Sequence, residues 1–175
     1  AEKRGLLNLR ATPDALPHYT DEKNVQLFGC HGVYTKQEMQ SREEISLDEY
    51  AKTLHIEAMT MLDMMKKQIV PACIAYSSAV AQTVATKKSI GIDAPAEADI
   101  VQKVTSKTAS LIALQQDLET AVAGAPEGAQ PAARYYCDAV LPAMEKARAV
   151  ADELEMLVGK EYWPFPAYGD ILFYT

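Results

Sequence analysis

The residues with which this 175-residue chain could bind a metal or activate a nucleophile are few: His18, His31 and His55, and Cys30, Cys73 and Cys137. Their spacing argues against both uses. Cys30-His31 is half of a zinc-type ligand set, and no second pair stands at a recognisable ligand spacing from it. His55-Ile56-Glu57 does not reproduce the metalloprotease pattern, which needs two histidines four apart on a helix. His55 is expected on the flank of an apolar helix stripe, with its imidazole solvated or paired. Glu43 and Glu44 beside Arg42 form a carboxylate pair with a cation. Adjacent helical residues face apart, so general acid and base roles are not expected, and favourable charge at a helix start accounts for the pair. Gly29, Gly32, Gly124 and Gly128 match no phosphate-cradling or dinucleotide loop. No serine is framed as a nucleophile elbow. No catalytic, cofactor-binding or metal-ligating residue is therefore assigned to this segment.

Composition points the same way. A single domain is the expectation at this length, large enough for a core without staples. With 49% hydrophobic and 23% charged residues the chain is not of the disordered class. The net charge of −7 disfavours nucleic acid and acidic membrane surfaces as partners. No uninterrupted apolar run approaches the roughly 18 residues of a spanning helix, and residues 1–10 carry no signal-peptide pattern. The absence of an initiator Met fits a piece of something longer. Three widely separated cysteines, two of them on helical stripes, read as free buried thiols of a reducing cytoplasm.

The elements that would position any site are helices. The spacing predicts a long helix from Ser46 to about Ser89, opened by the capping box Ser46-Leu47-Asp48-Glu49. Its stripe is Leu47, Tyr50, Leu54, Ala58, Met61, Met65 and Ile69, and it resumes in phase beyond Pro71 as Cys73, Tyr76 and Val80. Pro71 therefore predicts a kink rather than a stop. Gly91 ends the helix. A second helix, from Asp93-Ala94-Pro95 to about Ala123, carries the heptad seam Val101, Val104, Thr108, Leu111, Gln115, Leu118 and Val122. A third, from about Pro131 to Val158, carries Cys137, Val140, Met144, Ala147, Ala151, Leu154 and Val158, with Pro142 as a second kink. Short connections between long helices predict an all-α, antiparallel three-helix bundle. In front of it, Thr12-Pro13, Thr20 and the box Thr35-Lys36-Gln37-Glu38 each predict the start of a short helix, after a lead-in strand or extended tail over residues 1–10. The expected layout is one helical domain: 1–45 lead-in and short helices, 46–159 bundle, 160–175 tail.

Two features ask for a partner surface. Tyr162, Trp163, Phe165, Tyr168, Phe173 and Tyr174 crowd the last 14 residues, where Pro164 and Pro166 oppose helix and central strand. An extended aromatic tail is expected to dock in a groove. The Leu/Met face of the long helix, with Leu54, Met61 and Met65, is the matching apolar surface. Met59, Met61, Met64 and Met65 stand at helical spacing, which favours ordinary packing over a peptide-binding groove. The interaction residues expected from sequence are thus Trp163, Phe165, Tyr168, Phe173, Leu54, Met61 and Met65.

Two stretches together resemble a known family. One is Leu27-Phe28 through His31-Gly32-Val33, then Ser41-Arg42-Glu43-Glu44-Ile45, Tyr50 and Ile56-Glu57-Ala58. The other is Ala151-Asp152-Glu153-Leu154-Glu155, then Glu161-Tyr162-Trp163-Pro164-Phe165-Pro166 and Tyr168-Gly169-Asp170-Ile171-Leu172-Phe173. The sequence resembles the C-terminal region of type III, long-chain glutamine synthetases from about Leu16 to Phe173. Ala167 and Gly159 are small departures, the second from an expected Ala. The resemblance implies a parent enzyme that ligates ammonia to glutamate with ATP and Mg or Mn, through a γ-glutamyl phosphate. It implies a cytoplasmic homo-oligomer of stacked rings, with the catalytic domain of the same chain and neighbouring subunits as partners. The family's metal and phosphate ligands lie upstream, so this segment is expected to be inactive and to serve interdomain or intersubunit packing. The alternative is a stand-alone helical interaction module.

Overall fold

The computed structural model describes residues 2–166 and 168–172, and every regular element among them is helical. The α-helices are α1 (Thr12–Ala15), α2 (Glu22–Cys30), α3 (Lys36–Met64), α4 (Val70–Ser89), α5 (Pro95–Ala123), α6 (Ala129–Tyr135), α7 (Leu141–Glu155) and α8 (Tyr168–Leu172). Five-residue π turns, Met65–Ile69 and Tyr136–Val140, join α3 to α4 and α6 to α7. The chain divides into two compact units: residues up to 58 with 121–142, and residues 59–120 with 143 onward.

In the first unit, the expected lead-in strand is replaced by a 3-10 turn, Glu2–Arg4, and irregular chain. Thr20 does not cap α2. Its hydroxyl donates to Glu43 Oε2 at 2.6 Å, tying a 3-10 turn (Leu16–Thr20) to α3. Gly32, at φ +63°, closes α2 as expected. The box at Thr35 forms in full. The Thr35 N–H and hydroxyl donate to Glu38 Oε2 at 2.7 and 2.8 Å, and the Glu38 N–H donates to Thr35 Oγ1 at 3.2 Å. These bonds hold the Glu38 carboxyl below its ordinary range, the Thr35 N–H foremost.

The helix that starts there does not stop. The predicted separate start at Ser46 is overturned, because α3 runs from Lys36 straight through it. Gln40 to Ile45 contains no breaker, and Met39, fully buried, extends the Leu47 stripe back by two turns. With Ser46 inside the helix, Arg42, Glu43 and Glu44 are not helix-start charges. Arg42 lies over the Tyr34 ring, 4.5 Å from its centroid, while Glu43 takes the Thr20 hydroxyl. The core of this unit is Met39, Leu47, Ala51, Leu54 and Ala58 with Pro13, Ala133, Tyr136 and Val140.

Both π turns end just before a proline. A proline ring clashes with the carbonyl four residues back in a regular helix and offers no N–H. The wider turn relieves the clash: Val70 N–H reaches Met65 O ahead of Pro71, and Leu141 N–H reaches Tyr136 O ahead of Pro142. The helix thus continues past both prolines, as a kink rather than a stop requires, with a π insertion at each.

In the second unit, α4 and α5 form an antiparallel hairpin around Gly91, which sits at φ +81°. Lys66 pairs with Glu119, Ser77 Oγ lies 3.2 Å from Thr105 Oγ1, and Lys87 pairs with Glu97, so residue numbers fall along α5 as they rise along α4. Lys107 of α5 pairs with Glu153 of α7. Leu111, Leu118 and Leu154 are fully buried, each stabilising by roughly 1.5–3 kcal/mol. Thr108 fits this core by donating its hydroxyl to Val104 O at 2.7 Å. None of residues 81–103 is buried, and Ile90 and Ile92 are exposed at the hairpin's end.

One sequence expectation needs correction here. The continuous helix Lys36–Ser89 does hold an 18-residue window of mean hydropathy 1.3, long and apolar enough to cross a membrane by length and composition alone. Ile69 to Thr86 carries no charge. Its hydropathy comes from Ala, Val and Ile averaged over Ser, Thr, Gln and Pro71, so an unbroken run is not needed. The tail also departs from a wholly extended form: after the irregular stretch at Trp163–Pro166, α8 forms one helical turn.

Candidate functional site

The tail begins at Gly159, whose carbonyl accepts the N–H groups of Tyr162 at 2.8 Å and Trp163 at 3.1 Å. This turn brings the Tyr162 ring to 5.4 Å from that of Tyr76 on α4, at 62°, the edge-to-face geometry that aromatic quadrupoles favour. Gly159 eases this approach: a Cβ there would stand 3.3 Å from Tyr76 Cε2. Trp163 and Phe165 then meet at 6.1 Å and 76°. Lys160 and Asp170 form an ion pair across the tail.

The two rings help line a pocket of about 280 Å³ with Met61, Met64, Met65 and Ile69, closed on its other side by Ala151 and the α7 charges Arg148, Asp152 and Glu155. Met65 and Ile69 are held there by the first π turn. The methionine thioethers are soft, adaptable neighbours for aromatic rings. Of the interaction residues expected from sequence, this pocket brings together Met61, Met65, Trp163 and Phe165. Leu54 lies elsewhere, in the core of the first unit. The backbone of Tyr168 starts α8, and Phe173 lies outside the described residues. Tyr76, Tyr162 and Gly159 were not singled out as a cluster from sequence. The available signal was an unexpected glycine three residues ahead of an aromatic.

The candidate chemistry is sparse. All three cysteines are free; Cys73 is buried, Cys137 half-buried and Cys30 exposed, which corrects the expectation of buried thiols for Cys30. Tyr50, half-buried, has its phenol pushed up to about 12 by burial and by its hydrogen bond to Cys137. His55 flanks the stripe as expected, with Nδ1 2.8 Å from Tyr136 Oη. Among the described residues no group of three or more His, Cys, Asp or Glu side chains is placed to hold a metal ion.

The described residues thus form a kinked helical scaffold with the rings of its aromatic tail beside a methionine face. Residues 1–88 match the family described as the glutamine synthetase C-terminal domain. The chain belongs to that family. It is similar to a glutamine synthetase of Butyrivibrio fibrisolvens, 35% identical over 177 residues. It is also similar to a type-3 glutamine synthetase of Dictyostelium discoideum, 30% identical over 182 residues, and to a glutamine synthetase of Bacteroides fragilis (strain YCH46), 28% identical over 181 residues. Each match covers 99% of this chain and 25% of the relative, so the chain spans about a quarter of the length of these proteins.

Proposed function

We propose that this chain is the helical C-terminal domain of a type III glutamine synthetase and that its work is packing, against the catalytic domain of the same chain and against neighbouring subunits of a cytoplasmic homo-oligomer. The reaction, ATP-dependent ligation of ammonia to glutamate with Mg or Mn, belongs on this reading to the upstream part of the parent chain. Within the domain, the second unit is an antiparallel three-helix bundle of α4, α5 and α7, with the tail docked on its methionine face. The ion pairs of α5 with α4 and with α7 support that arrangement.

The observation that carries the reading is the uncovered apolar surface of the long helix. Only 11% of its most hydrophobic 18-residue window is buried. Surface of that kind marks an interaction site. Pro71, Ser77, Ser78, Gln82 and Thr83 interrupt it with polar and helix-perturbing positions, which suits a protein neighbour better than lipid. A chain of net charge −7 is also repelled by acidic membranes.

The test is made in the parent protein. Trp163→Ala with Phe165→Ala is expected to loosen docking, with a smaller assembly by sedimentation and reduced ligase activity. Unchanged assembly, stability and activity would discard the tail's role. An antibody raised against this chain is expected to detect, in source cells, a species several times larger than the chain. A species of the chain's own size and nothing larger would discard the domain reading.

A further inference from the structure

Three of the chain's seven methionines, Met61, Met64 and Met65, fall within five residues, and all three line the pocket that Trp163 and Phe165 help to close. Met61 and Met64 are three apart and share a helix face. Both are half-buried, while Met65 beside them is fully buried. Elsewhere Met156 is 85% exposed and Met59 49%, and neither lines this pocket. The methionines thus form a graded series, from open surface through the seam of the tail to closed core. A thioether joins apolar packing to chemical reactivity: it seats aromatic rings, and peroxides oxidise it where they reach it. Leucine, which the same helix buries at Leu54 and Leu62, would give the packing without the reactivity.

We propose that Met61 and Met64 are a modification site, at which peroxide oxidation of the thioethers to sulfoxides releases the aromatic tail. A sulfur lone pair attacks one oxygen of hydrogen peroxide. The S–O bond forms, the O–O bond breaks, and the displaced oxygen leaves as water with both protons. Sulfur gives up two electrons and the peroxide takes them. The apolar sulfur now carries a strong acceptor oxygen. Ile69, Ala151 and Phe165, which share the pocket, offer it no donor, so it draws water into the seam that the rings close. Met65, with no exposed surface, stays reduced while the fold holds, so the scaffold outlasts the seam. The site rests on the docked tail of the proposed packing role and adds the condition under which that tail lets go.

The test exposes the intact protein to dilute hydrogen peroxide and maps each methionine by mass spectrometry. In parallel it follows chymotryptic cleavage between Tyr162 and Trp163, which requires the tail to leave its seat. Sulfoxide is expected first at Met156 and Met59, then at Met61 and Met64, with Met65 last. Cleavage is expected to hold its starting rate through the first stage and to rise at least about fivefold in the second. Met61→Leu with Met64→Leu keeps the apolar volume and is expected to hold the starting rate throughout. The exposed Cys30 reacts in both proteins and cancels in the comparison. Phe165→Ala, kept reduced, reports on docking alone and is expected to be cleaved faster than the unaltered protein. If it is not, the docked tail is overturned and the modification site with it. If it is, but sulfoxide at Met61 and Met64 leaves cleavage unchanged, docking stands and the site alone is overturned. The site is overturned equally if the leucine variant responds to peroxide like the unaltered protein, or if Met61 and Met64 are oxidised no sooner than Met65.

Discussion

Met65–Ile69 and Tyr136–Val140 are the same backbone device with opposite contents. Each is a five-residue π turn, and each ends two residues ahead of a proline, Pro71 or Pro142. The first opens onto thioethers and the tail's rings, the second onto a phenol, an imidazole and the charges of Glu44, Asp48 and Lys52. Proline chemistry therefore decides where the helix widens. The side chains carried on the turn decide whether the widening serves packing or polar contact.

The largest expected effect tests the apolar turn. Met65 is fully buried, so Met65→Ala should cost about 2–5 kcal/mol through lost burial and a residual cavity. Chemical denaturation with unchanged slope would show it. A cost below about 1 kcal/mol would mean that the turn collapses around the gap and is not the rigid core described. The polar turn should be weaker. Tyr136→Phe removes one hydrogen bond to an exposed histidine, a loss of about 1 kcal/mol. If the two substitutions cost the same, the contrast between the turns fails.

Titration sharpens it further. Tyr50 also belongs to the polar side, and its phenol is raised to about 12 in the folded chain. A raised value means that the folded state favours the protonated form. Its contribution to stability is complete below the ordinary tyrosine value near 10, and is lost as pH rises toward about 12. Tyr50→Phe should flatten the alkaline limb of a stability-against-pH curve. At the acid end, Glu38, Glu97 and Glu119 are all depressed from about 4.5, by Thr35, Lys87 and Lys66 respectively. Their contributions are present above that value and fade as pH falls below it. Glu38→Gln should flatten the acid limb. The smallest expected effect is Gly159→Ala, with a Cβ 3.3 Å from the Tyr76 ring. The ring can yield by a few tenths of an ångström, so a destabilisation under about 1 kcal/mol is expected, partly offset by a stiffer unfolded chain.

The core was legible from spacing. Leu47, Leu54, Ala58, Met65, Ile69 and Cys73 on the first stripe, and Val104, Thr108, Leu111 and Leu118 on the second, are all buried. The helix start was not legible, because two capping boxes stand eleven residues apart in the sequence and only uninterrupted helical potential between them shows which is used. Continuation past the prolines was legible and the π turns were not, since periodicity records that phase survives a proline but not how the backbone absorbs it. The meeting of Met61 and Met65 with Trp163 and Phe165 followed from two sequence features that each lacked a partner. A charged cleft of the first unit was missed, although its lining residues Glu44, Asp48, Lys52 and His55 share one helical face. An exposed charged face usually means solvent, and only the second wall, from Ala125 to Ala132, turns it into a cavity.

Trp163 is the one tryptophan in the chain, and it sits where the tail meets the methionine face. Its indole emission therefore carries a spatial address. A red shift under mild denaturant, before helical ellipticity falls, would time the tail's release separately from melting of the scaffold, with no label attached.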